Sequence, residues 1–310
     1  MGRSRKRSAA QLDGVLVLDK PCGPTSAGCL ATIRRALNQG KIGHAGTLDP
    51  LATGVLLVLL GHGTKLAPFL TDGPKTYVGE LRLGVRTDTY DVQGTVVAEK
   101  PFDHLSPADV EQAVLDWGAL AEQEVPPVSA AKHEGKPLYA LARAGRDVPV
   151  KVKAVEIYRV QVLETALPLV RFRVTVSAGT YVRSLVHSLG MRLGCGAMLT
   201  ALTRERCHPF GLDQAHGLEE VVGDPGGFPG RVIPLRRALP HWPLAPLTGE
   251  QAEAVRNGTW LPVAQVPVAG TAGQPGERVM LAAPDGTPLA LAEAKNRDGS
   301  VYWSILRGLW

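Results

Sequence analysis

Residues 43–58 read Gly43-His44-Ala45-Gly46-Thr47-Leu48-Asp49-Pro50-Leu51-Ala52-Thr53-Gly54-Val55-Leu56-Leu57-Val58. The first part of this stretch is dense in small residues and turn formers, a composition that lets a substrate approach the backbone closely. Asp49 is the only carboxylate inside it. An acid directly before Pro50 also fits a helix N-cap with proline at N1, and the residues alone leave both readings open. The apolar run that follows, Val55 to Leu60, is far too short to span a bilayer.

Working outward, Gly14 to Lys20 reads as a strand. Ser26 is placed to cap a helix with Ala27, Leu30, Ile33 and Leu37 on its apolar face, ending near Gly40. Downstream, Tyr77 to Leu83 alternates Tyr77, Gly79, Leu81 and Leu83 against Val78, Glu80 and Arg82, the pattern of a strand with two unlike faces. Ser106-Pro107 with Asp109 opens another helix. Leu169 to Val176 alternates again, and Thr180 to Leu193 reads as a helix with Leu185, Leu189 and Leu193 on one side. Helices and strands do not alternate regularly, which predicts an α+β fold with a mixed or antiparallel central sheet.

The 310 residues exceed what one core usually organises, so two domains are expected. Pro- and Gly-rich residues 222–246 mark the boundary. The expected division is a basic arm at 1–10, a catalytic domain at 11–240 and a small, mostly β domain at 245–310. In the last, Thr248 with Gln251 forms a capping box. Strand-like runs follow at Arg278 to Ala283, Pro288 to Ala292 and Val301 to Leu306, with Asp285-Gly286 as a hairpin turn.

Lys and Arg outnumber Asp and Glu by 34 to 29, a balance that suits a polyanionic partner. The N-terminal MGRSRKRSAA lacks the apolar core of a secretory signal. Cys22, Cys29, Cys195 and Cys207 show neither a disulfide framework nor zinc spacing, so no metal is expected and a reducing cytoplasm fits best. No Walker A sequence, no GxGxxG after a strand, no HExxH and no GxSxG is present, which excludes several large enzyme classes.

GHAGTLDPLATGVLLV resembles the signature of the TruB type of tRNA pseudouridine-55 synthase. The resemblance is joined by Val15 to Pro21, by Lys75-Thr76-Tyr77, by Gly84 to Thr89, by Ala178-Gly179-Thr180-Tyr181-Val182-Arg183, by Leu193 to Ala197 and by Leu202-Thr203-Arg204; it covers roughly residues 10 to 240. It implies a pseudouridine synthase fold, a C-terminal PUA-like RNA-binding domain, and a cofactor-free isomerase acting by base flipping on the T-arm stem-loop of tRNA. The enzyme would work as a cytoplasmic monomer, with neither membrane nor guide RNA.

By the same resemblance Asp49 is the catalytic carboxylate. An ionised acid can serve as nucleophile, or stabilise an oxocarbenium-like centre and remove a proton. Arg183 would pair with it through two parallel hydrogen bonds that fix its orientation. Tyr77 would stack on the target uracil, Tyr181 and Leu202 would complete the pocket, and His44 would enter the RNA loop vacated by the flipped base. Lys20 would support the floor of the site or meet a phosphate. In the C-terminal domain Arg256, Lys295, Arg297 and Arg307 are candidate phosphate contacts. One departure from the family pattern is Val128, which stands where relatives often carry an aromatic residue before the serine. Two rivals stay open: an RNA-folding factor with a degenerate site, and a synthase acting on another stem-loop or within a guide ribonucleoprotein.

Overall fold

A computed structural model of the protein describes residues 11–129, 131–133, 136–138 and 150–310. The basic arm expected at 1–10 lies outside the described residues. In chain order the principal elements are β1 (Gly14–Lys20), α1 (Ser26–Leu37), β2 (Ile42–Ala45), β3 (Thr53–Leu60), β4 (Lys75–Leu83), α2 (Pro107–Leu115), β5 (Ile157–Ala166), β6 (Leu169–Val176), α3 (Val182–Arg192) and β7 (Ala197–Cys207). They are followed by α4 (Gly249–Arg256), β8 (Arg278–Ala282), β9 (Pro288–Arg297) and β10 (Ser300–Gly308).

The central sheet runs β5-β6-β4-β7-β3-β1, with β2 on β3 and the short His216–Gly217 strand parallel to β1. Its long ladders are antiparallel, while β7 meets β3 in parallel at Thr203↔Thr53 and Arg204↔Gly54. The fold is therefore α+β with a mixed sheet, as the irregular order of elements predicts. Period-two alternation holds on β6, where Val170, Phe172, Val174 and Val176 are all buried, and on β4. Gly79 of β4 is fixed by packing: a Cβ there would stand 2.5 Å from the Phe172 ring, so the ring lies directly on the backbone.

One face of the sheet packs under α1, α2 and α3 around Leu16, Leu56, Leu81, Phe172 and Leu185. Capping is as read for α2, where Ser106 and Asp109 form a full capping box, and for α4 with Thr248 and Gln251. At α1 the reading is corrected. Thr25 is the N-cap, accepting from the Gly28 amide, and Ser26 is the first helical residue with its hydroxyl buried elsewhere. The third helix begins two residues later than read, because Tyr181 keeps an extended backbone. No helix starts at Asp49-Pro50; the segment makes a turn in which the Ala52 amide bonds the Asp49 carbonyl. The N-cap reading of Asp49 is thus overturned.

The opposite face of the sheet, with Val15, Val17, Leu57 and Leu59, meets Leu70, Phe210 and Trp242 together with Met280 and Leu291 from the C-terminal sheet and Leu309 just after its last strand. That five-stranded sheet has its own core around Val255, Leu281, Ala292 and Trp303. Strands β9 and β10 run longer than their apolar patterns, since exposed residues such as Lys295 and Arg297 continue the ladder. Among the described residues no helix is long and apolar enough to cross a membrane.

Candidate active site

Strands β2 and β3 form a hairpin whose connection, residues 46–52, carries Asp49. Nothing regular stiffens this loop, so its backbone groups need partners from outside it. Ser26 supplies two: its hydroxyl donates to the Leu48 carbonyl at 3.0 Å and accepts from the Leu48 amide at 2.9 Å. The Gly23 amide donates to Pro50 O at 2.9 Å. Lys20, fully buried, directs Nζ at the carbonyls of Pro21 (2.9 Å), Ala52 (2.7 Å) and Pro50 (3.4 Å). From the other side Arg204, 1% exposed, donates to the carbonyls of Gly46 (2.9 Å), Thr47 (3.4 Å) and Val55 (2.7 Å). Gly54, at φ +95°, packs against the Arg204 backbone so closely that a Cβ would lie 2.3 Å from its carbonyl oxygen.

Lys20 lies beneath the loop, outside the lining of the Asp49 cleft, with no solvent exposure and its ammonium on three carbonyls. Burial holds it below the ordinary lysine range.

The loop presents Asp49 to a cleft of about 330 Å³. Arg183, the second residue of α3, donates from Nε to Asp49 Oδ2 at 2.9 Å; its side chain is 5% exposed and that of Asp49 39%. The expected two-bond fork is absent. The terminal nitrogens go instead to backbone carbonyls, Thr89 O at 2.7 Å and Val128 O at 3.2 Å. Asp49 Oδ1 has no protein hydrogen bond among the described residues and is the free oxygen of the site. A second carboxylate, the buried Asp91, stands 3.6 Å from Arg183 Nε and is tied down by Thr89 Oγ1 (2.8 Å) and the Gln93 amide (3.0 Å). One guanidinium thus serves two acids and two strands of backbone.

Tyr77, Tyr181, Leu202 and His44 all line the same cleft as Asp49 and Arg183. Tyr77 sits opposite Arg204 in the β4–β7 register, and its hydroxyl accepts from Arg204 at 3.5 Å. Burial, and then the charge of Arg204, holds His44 below the usual imidazole range, so it is neutral at neutral pH. Its Nδ1 is buried without a hydrogen-bond partner among the described residues. Burial pushes the Tyr181 phenol up.

Four residues around the cleft received no site role from the sequence: Ser26, Lys75, Asp91 and Arg204. Lys75 is buried at its wall with Nζ on the carbonyls of Thr71 and Gly73, and burial lowers it from the usual lysine range. Strand periodicity carries a signal for two of them. Lys75 stands two residues before Tyr77, and Arg204 two after Leu202, so each shares the buried face with a recognised site residue. A cation on the apolar face of a strand calls for a reason. Asp91 and Ser26 carry no such mark.

Comparison with known proteins places the chain in a family. Residues 34–182 match the model of the TruB family pseudouridylate synthase (N terminal domain). A tRNA pseudouridine synthase B from Nitratidesulfovibrio vulgaris (strain Miyazaki F) is 56% identical over 302 residues, spanning 97% of this chain and 98% of the relative. Its counterpart in Geobacter sulfurreducens is 41% identical, over 96% of this chain and 95% of that one. Among solved structures, a chain of an H/ACA RNP bound to a substrate RNA containing 2'-deoxyuridine superposes with a TM-score of 0.70 at 26% identity, covering 96% of this chain and 85% of that chain. A Cbf5-Nop10-Gar1 complex gives 0.69, also at 26%, with the same coverage. With relatives this similar along nearly the whole length, the chain belongs to the TruB family of pseudouridylate synthases, enzymes of the isomerase class.

Proposed function

We propose that this enzyme converts the T-loop uridine at position 55 of tRNA to pseudouridine, with Asp49 as the catalytic carboxylate. The name shared by its close relatives, tRNA pseudouridine synthase B, supports the substrate class. One observation carries the assignment of the acid. Among the described residues that line the cleft Asp49 is the only acid, part exposed and held through Oδ2, with no hydrogen bond on Oδ1 from any described residue.

The reaction breaks the N1–C1′ bond, rejoins the ring through C5 to C1′, and moves the proton of C5 to N1. Nothing is oxidised or transferred to another molecule, so the atoms balance without a cofactor. A carboxylate with one oxygen fixed and one free can meet the developing charge at the sugar, as nucleophile or as stabiliser, and take the C5 proton afterwards. Arg183, pinned by backbone carbonyls, keeps that oxygen aimed without reorganising during the step.

A uridine inside a folded loop exposes neither C1′ nor C5, so the base is flipped into the cleft. There Tyr77 stacks on the uracil and Leu202 and Tyr181 close its sides. His44, neutral and with an unmet ring nitrogen, is suited to the space the base leaves in the RNA. Lys75 and Arg204 set a positive background behind the sugar-phosphate. Residues 11–240 form the catalytic part and 245–310 a PUA-like RNA-binding domain. The enzyme acts as a cytoplasmic monomer on tRNA alone. A bare tRNA transcript incubated with pure protein tests this: pseudouridine mapped at position 55 supports it, and a requirement for guide RNA or partner proteins refutes it.

A further inference from the structure

Between Glu122 and Glu124, both exposed, Gln123 is 7% exposed. These three residues pair antiparallel with Val152–Ala154, placing Gln123 opposite Lys153. A buried amide needs partners, and this one has both from a single residue. Gln123 Oε1 accepts from the Tyr181 amide at 2.6 Å, and Gln123 Nε2 donates to the Tyr181 carbonyl at 3.1 Å. The side chain mimics a strand partner and fixes the backbone of the residue that precedes α3. Its cross-strand neighbour grips the same stretch. Lys153 lies over Gly179 (φ +77°), its Nζ donating to Ala178 O at 3.4 Å, and a Cβ on Gly179 would stand 1.8 Å from that nitrogen.

The gripped segment is functional ground. Gly179, Thr180 and Tyr181 line the cleft, and Arg183 follows two residues later. Arg183 is also bonded to Val128 O, five residues beyond Gln123 on the same chain segment. The chain segment 123–128 therefore holds the arginine at two points, once through the helix entry and once through the guanidinium itself.

We infer that Gln123 is a positioning residue of the isomerase: its paired hydrogen bonds to Tyr181 set the entry of α3, and so the aim of Arg183 on Asp49. The inference rests on the reading of Arg183 and Asp49 as the catalytic pair. It assigns Gln123 no contact with RNA. A displacement of the order of 1 Å in a catalytic group costs on the order of 10²-fold in rate.

The test uses the full-length protein with a tRNA transcript and two variants. Gln123→Met keeps the volume and removes both hydrogen bonds; Gln123→Glu keeps an acceptor for the Tyr181 amide and loses the donor. Measured are the single-turnover rate, the tRNA Kd by filter binding, the melting temperature and hydrogen exchange of the Tyr181 amide. For Gln123→Met the expected result is a rate lower by on the order of 10²-fold, with Kd within about threefold and faster Tyr181 exchange. Gln123→Glu falls between it and wild type. A wild-type rate in Gln123→Met with accelerated exchange overturns the inference, as does a loss confined to Kd. If Gln123→Met fails to fold, Gln123→Glu decides alone: slowed turnover at unchanged affinity supports the role and a wild-type rate removes it. Turnover by Asp49→Asn protein would sink the catalytic pair independently, whatever the Gln123 variants do.

Discussion

Arg183 holds Asp49 by a single bond, Nε to Oδ2 at 2.9 Å, while its two terminal nitrogens lie on the carbonyls of Thr89 and Val128. Three chain segments distant in sequence thus meet on one planar group. The arrangement fixes the guanidinium first and lets it fix the acid. A lysine has one nitrogen and no rigid fork to reach three directions at once. Arg183→Lys is therefore expected to lower the single-turnover rate by about 10²-fold or more with little change in tRNA affinity. Equal turnover by the lysine variant would show that charge alone suffices.

Lys20 makes the complementary case from below. Replacing it by methionine removes a buried ammonium and leaves the carbonyls of Pro21, Pro50 and Ala52 without that partner. Each unmet buried carbonyl costs about 1–3 kcal/mol, set against the desolvation that the variant relieves. Lys20→Met is expected to lower the melting temperature and, by loosening the Asp49 turn, to slow turnover while tRNA Kd holds. A variant whose affinity falls but whose rate does not would return Lys20 to the role of phosphate contact.

Close packing at Gly54 gives a sharper stability test. At its φ of +95° a Cβ would come within 2.3 Å of Arg204 O, which leaves no room for a methyl group. Gly54→Ala is expected to destabilise the protein by roughly 2–4 kcal/mol in urea denaturation. A loss below about 0.5 kcal/mol would mean the β3–β7 contact gives way easily.

Histidines held below their ordinary value, His44, His187 and His241 among them, contribute to the response to acid. Burial lowers both His44 and His187 from the ordinary value of 6.5. The unfolded chain then binds more protons than the native one between the lowered and the ordinary value. Their stability contribution is complete above pH 6.5 and is lost as pH falls below it. The melting temperature should drop between about pH 7.5 and about pH 5.5, and less steeply in a His187→Phe variant. Identical slopes in the two proteins would contradict this origin.

Much of the fold was open to reading from residue patterns. Alternation on β4 and β6 and the capping boxes of α2 and α4 are local, and local physics decided them. The errors lie where a residue's partner is far along the chain. Ser26 has the chemistry of a cap, yet its hydroxyl serves Leu48, and Asp49-Pro50 has the sequence of a helix start, yet Lys20, Gly23 and Ser26 hold it as a turn. At the site, the resemblance supplied Asp49, Arg183, Tyr77, Tyr181, Leu202, His44 and Lys20; the structure gathers the first six on one cleft, while Lys20 lies outside its lining. The fork geometry of Arg183 was misjudged because Thr89 and Val128 compete for it. Asp91 was missed because only the fold brings it beside the guanidinium.

The central claim is that the free oxygen of Asp49 does the chemistry, and Asp49→Asn tests it with the least change in shape. Pseudouridine is mapped in a tRNA transcript after incubation with wild-type and variant protein, alongside tRNA Kd for each. The expected result is no detectable pseudouridine with the variant and binding within a few-fold of wild type. Pseudouridine formed at position 55 by Asp49→Asn protein at a comparable rate would contradict the account.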